Sequence, residues 1–384
     1  MGLWDSIRAL FSEPPGPVID TSLRREWKFA HDTQWDTRTI DAQSLAVFAD
    51  WLEENGDARA EFIRLAPTPE RFTAFLRANA EPLFDRLVPK LTFENVRGQH
   101  GSPEEQIDLE WTDGILRGAS VRTSKVRDDA QFLLRLPIAR TLKHLALGLQ
   151  EPLDPLFDSE QLSALGELGA RLDSLFVGDF RYPTECEMSW AQLGDVSAVW
   201  KSLPQLRRLK LRGIVEDLGT VEAPKLTHFT HETSGLTKLE LSKITAARWP
   251  ELTHLELWFG SDNYGSDCVV DDVVPLLNRK LPSLHRLALR NFAYVDGLIE
   301  RLAPSPLLQQ VKELDLSMGM LAEEGAQALL DHRARFAHLT ELNLSDNFIP
   351  PAELERLTQA FGTSVKLGTQ KEEDGDYRYV SVSE

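Results

Sequence analysis

One spacing governs what this chain can fold into: Leu-x-x-Leu-x-Leu, recurring between Leu116 and Leu344. Full copies begin at Leu142, Leu206, Leu252, Leu284 and Leu339, and near copies begin at Leu116, Leu172, Leu226 and Val311. Successive starts lie 26, 30, 34, 20, 26, 32, 27 and 28 residues apart. A repeat of this period is one supersecondary unit that cannot bury its apolar face alone, so neighbouring units must stack. Within each copy the last two Leu stand two residues apart and send their side chains to one face of a short strand, while the first packs just ahead of it. Of the 384 residues, 60 are Leu, but only ten fall in the first hundred and 47 fall between Leu109 and Leu344, so the array does not begin at the N-terminus.

The motif and its period resemble leucine-rich repeats that carry helices on their outer side. The resemblance implies an α/β solenoid, with a curved parallel sheet on the concave side and return segments, often helical, on the convex side. Gly325 to Leu330 and Ala352 to Phe361 read as helical returns. Leu236-x-x-Leu239-x-Leu241 has the same spacing but starts ten residues after Leu226, too soon for a full coil, so Leu236 to Trp249 is assigned to the outer side. The copy Leu339-Thr-Glu-Leu-Asn-Leu-Ser-Asp-Asn347 carries the full ending of that family, whose Asn makes backbone hydrogen bonds inside the turn.

Ahead of the array, Leu3, Trp4, Ile7, Leu10 and Phe11 have helical spacing and then meet Pro14-Pro15-Gly16-Pro17, which makes 1–20 a short amphipathic helix and linker. Its polar face is not rich in Lys or Arg, so it is expected on the protein body rather than on a membrane. Met1 to Ser6 shows no secretory signal, although Gly2 and Ser6 fit the loose myristoylation pattern. From Ser44, Leu45, Phe48 and Leu52 share a helical face, Asn55-Gly56 stops that helix, and Asp57 can cap a second one carrying Phe62, Ile63 and Leu65.

The run Phe48 to Leu65 resembles the bacterial repeat-companion domain, a helical module that precedes repeat arrays; the resemblance implies such a module over 21–90 and brings no activity with it. Leu91 to Val96 and Ile107 to Trp111 read as a capping hairpin about a polar turn with Gly98 and Gly101, completing 91–121 with the first repeat strand. Repeats are expected over 122–361. A C-terminal cap over 362–384 would use Val365 to Leu367 and Tyr379 to Val382 as last strands. Four segments, Phe176-Val-Gly-Asp179, Cys186-Glu-Met-Ser-Trp190, Leu255 to Gly265 and Tyr377 to Glu384, resemble a narrower group of bacterial leucine-rich-repeat proteins of unassigned activity.

Forty-two basic against 60 acidic residues give a net charge of −18, which opposes non-specific binding to nucleic acid or anionic membranes. Charges interrupt every apolar run before the roughly 18 residues a membrane span needs. Cys186 and Cys268 are expected as free thiols in a reducing cytoplasm, and Glu185 and Glu187 oppose thiolate formation at Cys186. There is no Cys-x-x-Cys pair, and His228 with His231 reads as a surface pair rather than as metal ligands. Asp262, Asn263, Asp267, Asp271 and Asp272 supply oxygens without the spacing of an EF-hand, so Asp267 is expected to cap a helix starting near Val269. Phosphate-binding glycine patterns and nucleophile motifs are absent from the sequence; no cofactor, metal or enzymatic activity is expected.

The remaining signal is surface. The third, fifth and seventh residues of each copy project from the outward face of the sheet. They are Arg208, Lys210 and Arg212; His228, Thr230 and Glu232; His254, Glu256 and Trp258; Arg286, Ala288 and Arg290; then Glu313, Asp315 and Ser317. A basic middle gives way to an acidic end. The two longest repeats, from Leu172 and Leu252, must release their surplus as loops on one edge, bearing Tyr182, Trp190 and Tyr264. Arg208, Lys210, Arg212, His254, Trp258, Arg286, Arg290, Tyr182, Trp190 and Tyr264 are the candidate partner-binding residues. The function expected is a non-enzymatic protein-interaction module or scaffold. The alternatives are polyanion or nucleic-acid binding through the basic patch, the lesser of the two partner classes, and an accessory subunit of a bacterial enzyme complex.

Overall fold

A short strand forms at every repeat start in the sequence. The computed structural model describes residues 42–54, 60, 69–92, 106–112, 115–373 and 377–384. Two compact units divide the chain, Met1–Gln150 and Glu151–Glu384. No described helix is long and apolar enough to cross a membrane.

In the first unit, helices α1 (Ala42–Glu54), α2 (Pro69–Phe84) and α3 (Val126–Arg135) accompany strands β1 (Leu91–Thr92), β2 (Gln106–Thr112), β3 (Ile115–Arg122) and β4 (His144–Leu147). Helix α1 buries Ala49 and Leu52, three residues apart on one face. The Asn55-Gly56 turn, the helix with Phe62 to Leu65 and the 1–20 segment lie outside the described residues. Strand β1 pairs with β2 in parallel, so the hairpin expected between these two segments is not formed. The antiparallel partner of β2 is β3. Only two residues separate β2 from β3, whereas thirteen separate β1 from β2, and antiparallel neighbours can be joined by far shorter connections than parallel ones. Strand β3 then pairs in parallel with β4. Phe84 meets Trp111 edge to face at 6.4 Å, and buried Asp129 accepts from Lys90 and Thr123, each at 2.7 Å.

The second unit is the body of the array. Strands β5 (Ser174–Val177), β6 (Gln192–Asp195), β7 (Arg208–Arg212), β8 (Ile214–Asp217), β9 (His228–Glu232), β10 (His254–Trp258), β11 (Arg286–Arg290), β12 (Glu313–Asp315), β13 (Glu341–Asn343) and β14 (Val365–Lys366) follow in order. Strands β5, β7 and β9 to β14 form one parallel sheet, while β6 and β8 pair separately. Ser174, Arg208, His228, His254, Arg286, Glu313 and Glu341, all third residues of their copies, stand in one row. One position further, Leu209, Phe229, Leu255, Leu287, Leu314 and Leu342 form a core row, each at most 1% exposed. That row is the reason for the fold, since each fully buried side chain of this size stabilises by about 1.5–3 kcal/mol.

Return helices α4 (Ser159–Leu168), α5 (Lys238–Ala246), α6 (Val270–Leu277), α7 (Val295–Leu302), α8 (Glu323–Asp331) and α9 (Pro351–Phe361) complete the coils. The Leu236 to Trp249 segment is α5 and its flanks, not a strand. Thr237 starts that helix with a reciprocal capping box to Glu240. Successive rungs are also stitched by hydroxyls: Thr227 Oγ1 donates to Arg207 O and Thr253 Oγ1 to Thr227 O, both at 2.9 Å, and Thr340 Oγ1 donates to Lys312 O at 3.0 Å. Asn347 is fully buried; its Nδ2 donates to Leu316 O and Leu344 O at 3.0 and 3.1 Å, and its Oδ1 accepts from Leu321 N at 3.1 Å.

Two readings are corrected here. His231 is not a surface residue but fully buried, paired in register with Leu211 and Leu257, so it takes the core position where those rungs have Leu. Its Nε2 lies 3.3 Å from Gly213 O. Val365 begins a last strand as expected, but Tyr379 to Val382 forms none; that segment is held instead by loops of other coils.

Candidate interaction surface: the open sheet face and its loop edge

Along the open face the third residues from Arg208 to Glu341 are half-buried, and at the fifth and seventh positions Lys210, Glu232, Asp315 and Ser317 are buried. Lys210 and Asp315 are only 8% and 4% exposed, and each is met by a charged side chain of a flanking rung, Glu232 and Arg286. Arg208, Lys210 and Arg212 are therefore not three free outward charges. Glu232 on β9 accepts from Lys210 Nζ at 2.6 Å and Arg212 Nε at 2.5 Å. Burial alone would push the Glu232 carboxyl up; the two cations outweigh it and hold it at about 2. Arg212 also donates to Phe180 O at 2.6 Å.

A second cluster surrounds Arg290. Its Nη1 donates to Glu256 at 2.9 Å, its Nε to Ser317 Oγ at 3.0 Å, and its guanidinium lies 5.0 Å from the centre of the Trp258 ring. Trp258 Nε1 donates to the same Glu256 oxygen at 2.8 Å. Arg286 reaches Glu313 at 3.2 Å and Asp315 at 3.7 Å. Between these clusters the His228 and His254 rings stack at 4.2 Å, each with its Nδ1 against the hydroxyl of the preceding Thr. The basic middle is thus a lattice of ion pairs. The sequence identified the residues but not the pairing, because partners such as Lys210 and Glu232 are 22 positions apart.

The surplus of the long repeats does gather. Gly178 and Gly260, with φ of 90° and 82°, turn the chain out of β5 and β10; a Cβ would lie 2.0 Å from Arg212 O in the first case and 1.7 Å from Ser234 O in the second. Beyond these turns, Tyr182 and Tyr264 come to the same acidic groups. The Tyr182 hydroxyl is pushed up by burial and by the Glu187 and Glu384 charges, and that of Tyr264 by its hydrogen bond to Glu384, by burial and by the same two carboxylates. Trp190 is 51% exposed, and its carbonyl accepts from Leu153 N at 2.8 Å.

Cys186 and Cys268 are buried and free. Burial and Glu187 raise the Cys186 thiol to about 11; burial and the Asp267, Asp272 and Glu240 charges raise Cys268 to about 12. Asp267 does not cap the helix after Val269. It accepts from Lys238 N, the first amide of α5, at 2.6 Å, and Val269 N is capped by Asp272 at 2.8 Å. Among the described residues no group of three or more His, Cys, Asp or Glu side chains is placed to hold a metal ion.

The fold is that of an α/β leucine-rich-repeat solenoid. A solved protein from Bacteroides fragilis is 25% identical over 66% of this chain and 72% of its own, with a TM-score of 0.61. An internalin from Listeria monocytogenes is 15% identical over 70% and 75%, with a TM-score of 0.31. A leucine-rich-repeat protein from Leptospira interrogans is 13% identical over 62% and 91%, with a TM-score of 0.22. No family model and no curated protein matches the chain.

Proposed function

We propose that this protein is a non-enzymatic interaction module that binds a protein partner through the open sheet face, with the edge loops carrying Tyr182, Trp190 and Tyr264 alongside. One observation carries the reading: the half-buried row Arg208, His228, His254 and Arg286 stands on four successive rungs in strict register. Rungs recur about every 4.8 Å, so this row is a fixed array of donors that pays little ordering entropy on binding. The polyanion alternative is weakened, because Glu232, Glu256, Glu313 and Asp315 pair with Lys210, Arg212, Arg290 and Arg286.

The test is capture of partners from the native host followed by titration of the purified partner. Arg208→Ser with Arg286→Ser should weaken binding at least tenfold, about 1.4 kcal/mol, in a variant that circular dichroism shows to be folded. Unchanged affinity in the folded double variant rejects the face. Binding that collapses between low and moderate salt would instead indicate a polyanion.

A further inference from the structure

Residues 377–384 belong to no strand, yet they are held along their length by loops of other coils. Asn291 grips the Val382 backbone at both ends: its Oδ1 accepts from Val382 N at 2.9 Å and its Nδ2 donates to Val382 O at 2.6 Å. Ser381 N donates to Met318 O at 3.0 Å, and Ser381 Oγ to Asp346 at 2.6 Å. Lys371 donates to Tyr379 O at 2.8 Å. At the far end Met188 N donates to Glu384 O at 3.0 Å, and the Glu384 side chain meets the Tyr264 hydroxyl. Val380 and Val382 are 4% and 3% exposed, while Tyr379 between the loops and solvent is 40% exposed.

The receiving loops share an unusual backbone. Asn291, Met318 and Asp346 are each the eighth residue of their repeat, and each has a left-handed φ, at 56°, 69° and 58°. Residues other than glycine hold that conformation at a cost, and it persists where surrounding contacts fix it. All three touch the 377–384 segment. Most of these contacts go to its backbone, and its buried side chains alternate, which is how extended peptides are recognised: main-chain bonds supply affinity, and pockets for alternate residues supply selectivity.

We propose that this loop edge is a binding groove for extended peptide segments with small branched apolar residues at alternate positions and a carboxylate two residues beyond the second, a groove that the chain's own 377–384 segment fills and a partner segment of like chemistry can enter in its place. The groove shares the edge loops with the proposed function but does not rest on contacts at the sheet face. Its test uses a peptide, so failure of the face would leave it standing.

A fluorescein-labelled synthetic peptide of residues 377–384 serves as the probe. The chain carrying Val380→Ser and Val382→Ser, whose own segment is weakened, should bind the peptide at least tenfold more tightly than the unaltered chain. Adding Asn291→Gly, which keeps the left-handed turn but removes the grip, should abolish the gain. No binding by the folded double Ser variant, or a gain that survives Asn291→Gly, overturns the proposal. Should the double variant not fold, hydrogen exchange on the unaltered chain decides. The Ser381 and Val382 amides should exchange at least tenfold faster than those of Leu255 and Leu257; equal rates would mean that the segment leaves only on global unfolding, and would reject it.

Discussion

Lys210 on β7 and Glu232 on β9 meet at 2.6 Å with only 10% and 6% of their side chains exposed, inside a face that its sequence presents as outward. A buried carboxylate that loses a partner retains its desolvation penalty, so this pair is structural whatever else the face does. Lys210→Met should lower stability by about 2 kcal/mol, and Lys210→Met with Glu232→Gln should cost less than the sum of the two single changes. Urea denaturation of the four proteins measures both.

The same carboxylate sets an acid limit. Its folded value of about 2 lies below the ordinary 4.5, so its contribution is complete above 4.5 and is lost as pH falls through 2. Across that window the unaltered protein should lose on the order of 3 kcal/mol that Glu232→Gln does not lose. Parallel melting curves from pH 5 to pH 2.5 check it; curves that fall together would refute the assignment.

Both thiols should be inert at neutral pH. With values raised to about 11 and 12 and both side chains buried, Cys186 and Cys268 hold almost no thiolate at pH 7.5. A chromogenic disulfide reagent should register no fast thiol in the folded protein and two in denaturant. One rapidly reacting thiol under native conditions would contradict the burial.

Asn347→Ala removes the partner of three buried backbone groups, at Leu316, Leu344 and Leu321. A loss of at least about 2 kcal/mol is expected by chemical denaturation, with the fold retained in circular dichroism. A loss below half that would show that water replaces the amide.

Leu-x-x-Leu-x-Leu revealed the rungs because burying an alternating pair is a local requirement, legible in six residues. Asn347 was expected from the resemblance of Leu339 to Asn347 to the full leucine-rich-repeat ending. His231 was not, since a polar residue in a core row is decided by what lies across the strand, here Gly213 O. Likewise the outward placement of Lys210 follows from strand alternation, but its burial follows from Glu232 on the next rung. The loop edge was read from surplus length, which brought Tyr182 and Tyr264 to the same carboxylates; the grip of Asn291 on Val382 spans 91 positions and leaves no pattern in the sequence.

The threonine stitches have a consequence for how such a chain changes over generations. Arg207 O receives Thr227 N, His228 N and the Thr227 hydroxyl, and Thr227 O receives Thr253 N, His254 N and the Thr253 hydroxyl in the same arrangement. Excising residues 227–252 would therefore join Leu226 to a segment bearing the identical set of donors. Leu255 would take the place of Phe229, and Glu256 would stand beside Lys210 where Thr230 now stands. Unequal recombination at this point would thus keep the backbone donors of the rung while placing Trp258 where Glu232 stands, so a change in the number of coils preserves the main chain of the junction and leaves its side-chain pairing to later selection.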